Sequence, residues 1–305
     1  MIRTEPILSD KELNEYYHQQ YYGNKQEKFI PLVEKILDKV NCKIVHTITS
    51  SLSNRNNDPS FKVLDIGCGR SKLLTKLRHI GYECYGIEKT NLPIKNAGNN
   101  IRLYSKDLEK IKFEDSFFET AIMWYSLEHM ANPISAIKEI QRIIKPNGIL
   151  VVAVPNFASL QSTLFKDSWF HLDIPRHTYH FTKNSIEDCL IKNGFNVKFF
   201  GCPSITQHVY GFIQSFFNKL YPSKNNDFYE LLKNPMGLLS ILKLLLWSGL
   251  SGFVLPFAII DFLISLISKN TALIYMVAKK TGAYQPLLNN SSRPTSSKLN
   301  SLENL

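Results

Sequence analysis

VLDIGCGRS, Val63 to Ser71, decides how the rest of this chain is read. The apolar run Phe61 to Ile66 has the length of a buried strand and ends in an acid and a glycine turn. SKLLTKLRHIG then reads as a helix that stops near Gly81. Glycines at 67 and 69 permit a tight turn, let a ligand approach the backbone, and place helix N-terminal amides beside it. YECYGIE is the second strand, and it closes on Glu88, where an acid can accept hydrogen bonds from both hydroxyls of a ribose. A dinucleotide would use the same parts, but the sixth position of GxGxxG is Lys72, too bulky for the close packing a pyrophosphate site uses. GCGRSKLL also lacks P-loop spacing. A nucleoside without pyrophosphate fits better.

Outward from this turn the period of the pattern is that of a parallel sheet covered on both faces. IRLYSKD (Ile101 to Asp107), FETAIMWYS (Phe118 to Ser126), GILVVAVPN (Gly148 to Asn156) and NVKFFGC (Asn196 to Cys202) read as further strands. SAIKEIQRIIK and TKNSIEDCLIKNGF are amphipathic helices, the latter capped by Thr182 or Asn184 and stopped by Gly194. TALIYMVAKK, Thr271 to Lys280, is one more strand. The 305 residues, 44% apolar and 20% charged, suit a globular chain, and a net charge of +10 favours anionic partners. Five cysteines without CxxC spacing give no disulfide framework and point to a reducing compartment, the cytoplasm. No apolar run precedes the first charges, so no secretory signal is expected.

With these residues in place, the chain resembles the class I S-adenosylmethionine-dependent methyltransferases over about Val63 to Phe200. VLDIGCG is similar to the family's cofactor motif. The resemblance assigns Asp65, Gly67, Cys68 and Gly69 to the cofactor, Glu88 to its ribose, and Asp107 and Leu108 to its adenine. WYSLEHMANP resembles the segment after the fourth strand in ubiquinone-pathway O-methyltransferases, and IIKPNGILVVAVPN is also typical. The resemblance implies an α/β Rossmann-like sheet of seven strands with helices on both faces. The last strand runs antiparallel beside the sixth, and TALIYMVAKK would supply it.

Methyl transfer to an alcohol or phenol is helped by a general base with a pKa near the working pH. His129 follows the C-terminal end of a strand, where such sheets bind ligands, with Glu128 beside it to orient it or simply to hold the loop. WFHLDIPRHTYHF, Trp169 to Phe181, is the second chemical stretch. His171, Asp173, His177 and His180 do not have the spacing of a recognised metal motif, so no metal is expected. The resemblance puts this loop over the acceptor pocket. Arg176 would then pair with a phosphate or carboxylate, His177 or His180 would be the alternative base, and Trp169 and Phe170 would pack on the acceptor. A purely structural loop with satisfied histidines is the plainer reading.

Gly237 to Lys269 breaks the pattern, with only Lys243 and Asp261 as charges before its closing lysine. The 17 residues between those two would span about 26 Å as one helix, short of a bilayer's apolar core of about 30 Å. If Thr271 to Lys280 rejoins the sheet, both flanks lie on one side. Ser248 to Gly252 and Pro256 then predict a turn, and the segment reads as a helical hairpin lying on or dipping into a membrane. The expected organisation is an N-terminal helical cap and Ser/Asn-rich loop (1–60), a methyltransferase core (61–203), the apolar insertion (204–270), the final core strand (271–280) and a disordered tail (281–305). The expected function is O-methylation of a lipidic, lipid-linked or saccharide acceptor with S-adenosylmethionine, peripheral or monotopic on the inner face of the membrane. Two alternatives stand beside it: a soluble small-molecule methyltransferase whose hairpin makes a homodimer, and a binding module without turnover. Nucleic acid is not expected as a partner, because no aromatic-and-basic single-strand platform and no NPPY-like stretch is present.

Overall fold

The computed structural model describes residues 1–6, 8–16, 29–31, scattered positions between 33 and 49, and then 60–89, 101–202, 204–222, 226–233 and 237–281. Most of the expected N-terminal helical cap, the Ser/Asn-rich loop and the tail after Thr281 lie outside the described residues.

In chain order the elements are β1 (Ile2–Arg3), α1 (Asp10–Glu15), β2 (Lys62–Ile66), α2 (Lys72–His79), β3 (Glu83–Ile87), β4 (Ile101–Tyr104), α3 (Leu108–Ile111) and β5 (Phe118–Trp124). A 3-10 turn at Leu127–His129 leads to α4 (Pro133–Ile143), β6 (Ile144–Pro155), α5 (Leu160–Phe165), β7 (Tyr179–His180), α6 (Lys183–Lys192) and β8 (Phe195–Gly201). The chain continues through α7 (Ile205–Leu220), α8 (Asp227–Lys233), α9 (Leu238–Ile267) and β9 (Leu273–Lys280).

Seven strands form one sheet in the order β4-β3-β2-β5-β6-β9-β8, and β1 pairs separately with β7. Strands β2 to β6 run parallel, while β9 lies antiparallel between β6 and β8, as the sequence predicts for Thr271 to Lys280. The central strands are mostly apolar because both faces are covered. Ile137 and Ile140 of α4 and Ile186 and Leu190 of α6 close one face, and Leu74 and Leu77 of α2 the other, all fully buried. Thr182, one of the two expected caps, starts α6 with a reciprocal capping box to Ser185.

A third core, apart from the sheet, joins α5, α7, α8 and α9 through Phe165, Trp169, Phe212, Phe217, Phe228 and Val254. Here the structure corrects the expected hairpin. Leu238–Ile267 is one continuous helix of 30 residues with Pro256 inside it. Ser248 and Ser251, expected at a turn, instead donate their hydroxyls to the carbonyls of Leu244 and Trp247, each at 2.7 Å. Proline inside a helix costs about 3 kcal/mol.

Candidate active site

The sheet brings the ends of β2, β3 and β5 to its C-terminal edge. Gly67 and Gly69 both adopt positive φ, at 77° and 49°, which a side chain tolerates poorly. A Cβ on Gly67 would lie 2.5 Å from Ser126 Cβ, so the glycine turn is pressed against the segment that follows β5. Nothing lies within 4 Å of a Cβ placed on Gly69, so the turn is open on that side. Within the turn, the amides of Gly67 and Cys68 donate to the Ile87 carbonyl at 2.8 and 3.1 Å. The Gly69 amide donates to Glu88 Oε2 at 2.9 Å. Three turn amides expected to face a ligand are thus engaged within the chain, and the Glu88 carboxylate stands at the open side.

Asp65 is 3% exposed, and burial, with Glu88 adding to it, pushes its carboxyl up to about 7. Cys68 is buried behind the turn, and burial raises its thiol well above the ordinary range. Asp107 is the N-cap residue of α3 and pairs with Lys110 at 2.6 Å and Lys89 at 2.9 Å, which hold its carboxyl below the usual range. Leu108 is turned into the main core.

The post-β5 turn carries the titratable cluster. His129 Nδ1 lies 2.9 Å from the Arg176 carbonyl, which can only accept, so Nδ1 carries the proton and the basic lone pair lies on Nε2. By the same argument His177 Nδ1 donates to the His171 carbonyl at 2.9 Å. The two rings meet at a centroid distance of 4.6 Å. Glu128 is 1% exposed and neither carboxyl oxygen has a hydrogen-bond partner. Its Oε1 lies 4.0 Å from His177 Nε2. Burial pushes Glu128 up to about 8 and drives His177 down to about 3, the neighbouring His129 adding to the latter shift. Burial also lowers His129. At neutral pH the cluster therefore consists of two neutral imidazoles and a carboxyl that keeps its proton. Glu128, His129 and His177 each bring one donor atom to within 4.8 Å of the others, the grouping within which a divalent cation could be held. The residues weighed and set aside as a metal set in the sequence, His171, Asp173, His177 and His180, share only His177 with this group.

The orienting contact on His129 is thus the Arg176 carbonyl and not Glu128. Arg176 itself pairs with Asp173, Nη2 to Oδ1 at 2.5 Å. His180 sits on β7, with Nε2 3.0 Å from Thr4 Oγ1. Because Thr4 gives its own proton to the His177 carbonyl, His180 Nε2 is the donor there. Trp169 is 2% exposed and belongs to the third core. Phe170 packs on Tyr210 and Tyr229, with ring centroids 5.5 Å away in both cases. Two participants escaped the sequence reading. Ser126 closes on Gly67, and Tyr125, at positive φ, donates to Gln207 of α7 at 2.6 Å. WYSL carries no sign of either contact beyond its place after a strand.

A family model described as a methyltransferase domain matches residues 33–198. A sterol 4-C-methyltransferase of Caenorhabditis elegans is 30% identical over 148 residues, 44% of this chain and 42% of that protein. A ubiquinone biosynthesis O-methyltransferase of Maricaulis maris is 23% identical over 161 residues, 48% of this chain and 63% of that protein. The chain thus spans less than two thirds of either relative. Among solved structures, a putative sarcosine dimethylglycine methyltransferase from Galdieria sulphuraria superposes with a TM-score of 0.56 at 12% identity, over 88% of this chain and 98% of that one. At that identity the likeness is one of fold.

Proposed function

This chain belongs to the methyltransferase-domain family, and from that premise we propose that it is an S-adenosylmethionine-dependent methyltransferase acting at a membrane surface on a lipidic or lipid-linked acceptor. The turn fits the cofactor. Gly69 leaves open space, Gly67 admits no side chain, and Glu88 places a carboxylate at the open side as an acceptor for ribose hydroxyls. When bound, S-adenosylmethionine supplies an electrophilic methyl carbon on a sulfonium. The chain supplies the rest. Asp65, about half protonated near neutrality, braces the turn from beneath without a second full buried charge beside Glu88. His129, held by the Arg176 carbonyl, offers Nε2 to take the proton of an acceptor hydroxyl.

Replacing Glu88 with alanine is expected to weaken binding of S-adenosylhomocysteine at least tenfold by calorimetry. A hydrogen bond to a charged group contributes about 1.5–3 kcal/mol. Unchanged affinity with an unchanged melting profile would refute the cofactor assignment.

One observation carries the membrane part: α9 is amphipathic in the inverted sense. Its protein-facing stripe is Trp247, Ser251, Val254, Ala258, Asp261 and Ser265, spaced alternately by four and three; Trp247 and Ser251 are half-buried, while the fully buried part, Val254, Ala258, Asp261 and Ser265, is mostly small or polar. The large apolar side chains point outward, with Leu239 78%, Phe253 72% and Ile267 85% exposed. Soluble helices bury the opposite face. Small residues and an acid turned toward the protein, with leucines turned outward, match the pattern of helices that meet lipid. At about 45 Å the helix exceeds the thickness of a bilayer's apolar core, but protein packs along it from Leu244 to Ser265. This packing supports side-on, monotopic contact rather than a crossing. Full-length protein is expected to float with anionic vesicles, and Leu239→Glu with Leu246→Glu to remove most of that binding. A detergent-free monomer that stays with the soluble fraction would sink the membrane reading. A dimer buried through the same face is the competing cover, and it would appear as a concentration-dependent mass without flotation.

A further inference from the structure

An apolar groove of about 420 Å³ lies between α5, α7 and α9, within the roughly 300–1,000 Å³ of ligand pockets. Leu164 and Phe165 form one wall, Phe212 and Phe216 the second, and Phe253 and Phe257 the third. Lys219 is the only polar residue lining it, and its ammonium reaches the Leu164 carbonyl at 3.3 Å while its stem covers the rim. Two of its three walls, on α7 and α9, lie beyond the matched family domain, which ends at residue 198; only Leu164 and Phe165 of α5 lie within it.

Three features identify the occupant. The lining is aromatic and aliphatic, so it offers a ligand dispersion and desolvation but no orienting hydrogen bond, which suits a featureless chain. Phe253 and Phe257 belong at once to the groove and to the outward apolar face of α9, so the groove opens onto the surface proposed to meet lipid. Its other end leads toward the titratable cluster. Phe165 packs on Phe212 at 5.0 Å, both share the third core with Trp169, Trp169 meets His171 at 5.6 Å, and the His171 carbonyl accepts from His177 Nδ1 of the cluster. Along α7, Gln207, which accepts from Tyr125 of the site, and Phe216 are nine residues apart, about 14 Å at helical rise. We propose that this groove is a hydrocarbon-tail site: it holds the acyl or prenyl chain of the acceptor while the acceptor's polar head reaches the cluster around His129. The inference rests on the reading of the acceptor as lipidic, and it adds where the tail lies. The Lys219 ammonium sits at the rim facing the bilayer, where anionic headgroups complement it.

The test is a detergent-free titration of the full chain with fluorescent fatty acids of increasing chain length, run beside the flotation assay. The expected result is saturable one-to-one binding that tightens with chain length. Phe216→Glu and, separately, Leu164→Glu at a half-exposed wall position should weaken it at least tenfold without moving the thermal midpoint by more than a few degrees. Leu239→Glu, remote from the groove on the outer face, should leave the titration unchanged and reduce flotation. Binding that responds to Leu239→Glu but not to the two groove variants would place the probe on the open helix face and overturn the tail site. Lost flotation with intact saturable binding would instead overturn the membrane reading and leave the groove standing. Should Phe216→Glu unfold the third core, Leu164→Glu decides: unchanged affinity in that variant overturns the proposal.

Discussion

His129→Ala should lower kcat by roughly 10²–10⁴-fold, the usual contribution of a positioned general base, while S-adenosylhomocysteine affinity stays within a few-fold of wild type. The expectation follows from hydrogen-bond polarity at the two ring nitrogens. The Arg176 carbonyl fixes the proton on Nδ1, which leaves the lone pair on Nε2 in a water-poor pocket at the C-terminal edge of the sheet. Burial lowers the pKa of the His129 imidazolium, so if His129 is the base the rising limb of kcat/KM against pH should lie to the acid side of an ordinary histidine. Glu128 works in the other direction. Its carboxyl, pushed up to about 8 by burial, keeps its proton at pH 7, and deprotonation near pH 8 would create an anion with no hydrogen-bond partner. Rate loss on the alkaline side is therefore expected to track that group. His180→Ala is the control. Its Nε2 is committed to Thr4, so turnover should change only a few-fold. Intact turnover in His129→Ala, measured as methyl-group incorporation, would remove His129 from the chemistry and move attention to His177, whose Nε2 faces Glu128.

The sequence foretold the sheet because its central strands are short, largely apolar runs separated by helices with a clear period. Thr271 to Lys280 reads as a strand from its own residues, and it is the family resemblance that implies its antiparallel place beside the sixth strand, where it is found. Asp65, Gly67 and Glu88 are legible for a related reason: strand, turn, helix and strand-end acid constrain one another locally. The cluster is legible only in part. His129 and His177 are 48 residues apart, and it is the shared carbonyl network of Arg176 and His171 that aligns their rings, a tertiary fact with no local signature. The sequence sends the aromatic pair Trp169 and Phe170 toward an acceptor because a loop composition cannot tell which face of the loop a second layer of helices will cover. The apolar insertion misleads in a different way. Gly, Ser and Pro are turn residues in water, but Ser248 and Ser251 can satisfy themselves against the helix that carries them. Continuing the helix then keeps its backbone groups paired without a turn.

Asp261→Ala is expected to cost roughly 3–5 kcal/mol of stability, and more of it through the third core than through the sheet. Asp261 is the only acidic residue of α9 and is 4% exposed in the middle of an apolar interface. Its Oδ2 accepts from His208 Nε2 of α7 at 2.8 Å and from Gln161 Nε2 of α5 at 2.8 Å. The His208 tautomer is fixed from the other side, because Nδ1 accepts the backbone amide of Ala272 at 3.2 Å just before β9, leaving Nε2 to donate. One carboxyl group thus ties α9 to α7, α5 and the entry of β9. Alanine would strand two buried donors, each costing about 1–3 kcal/mol, at the point where the apolar helix rejoins the sheet. Asp261→Asn retains an acceptor oxygen and should lose roughly half as much. Urea midpoints that fall from wild type through Asp261→Asn to Asp261→Ala check the argument, and faster hydrogen exchange in α7 and α9 than in β5 and β6 would locate the loss. His208 also adjoins Gln207, which accepts from Tyr125 in the post-β5 segment. Loosening this tie should therefore reduce kcat as well as stability, with little effect on cofactor affinity, whose proposed residues at the ends of β2 and β3 lie across β5. An Asp261→Ala protein as stable as wild type would show that the outward leucines and the third core hold α9 without the buried acid, and that the polar stripe has another purpose.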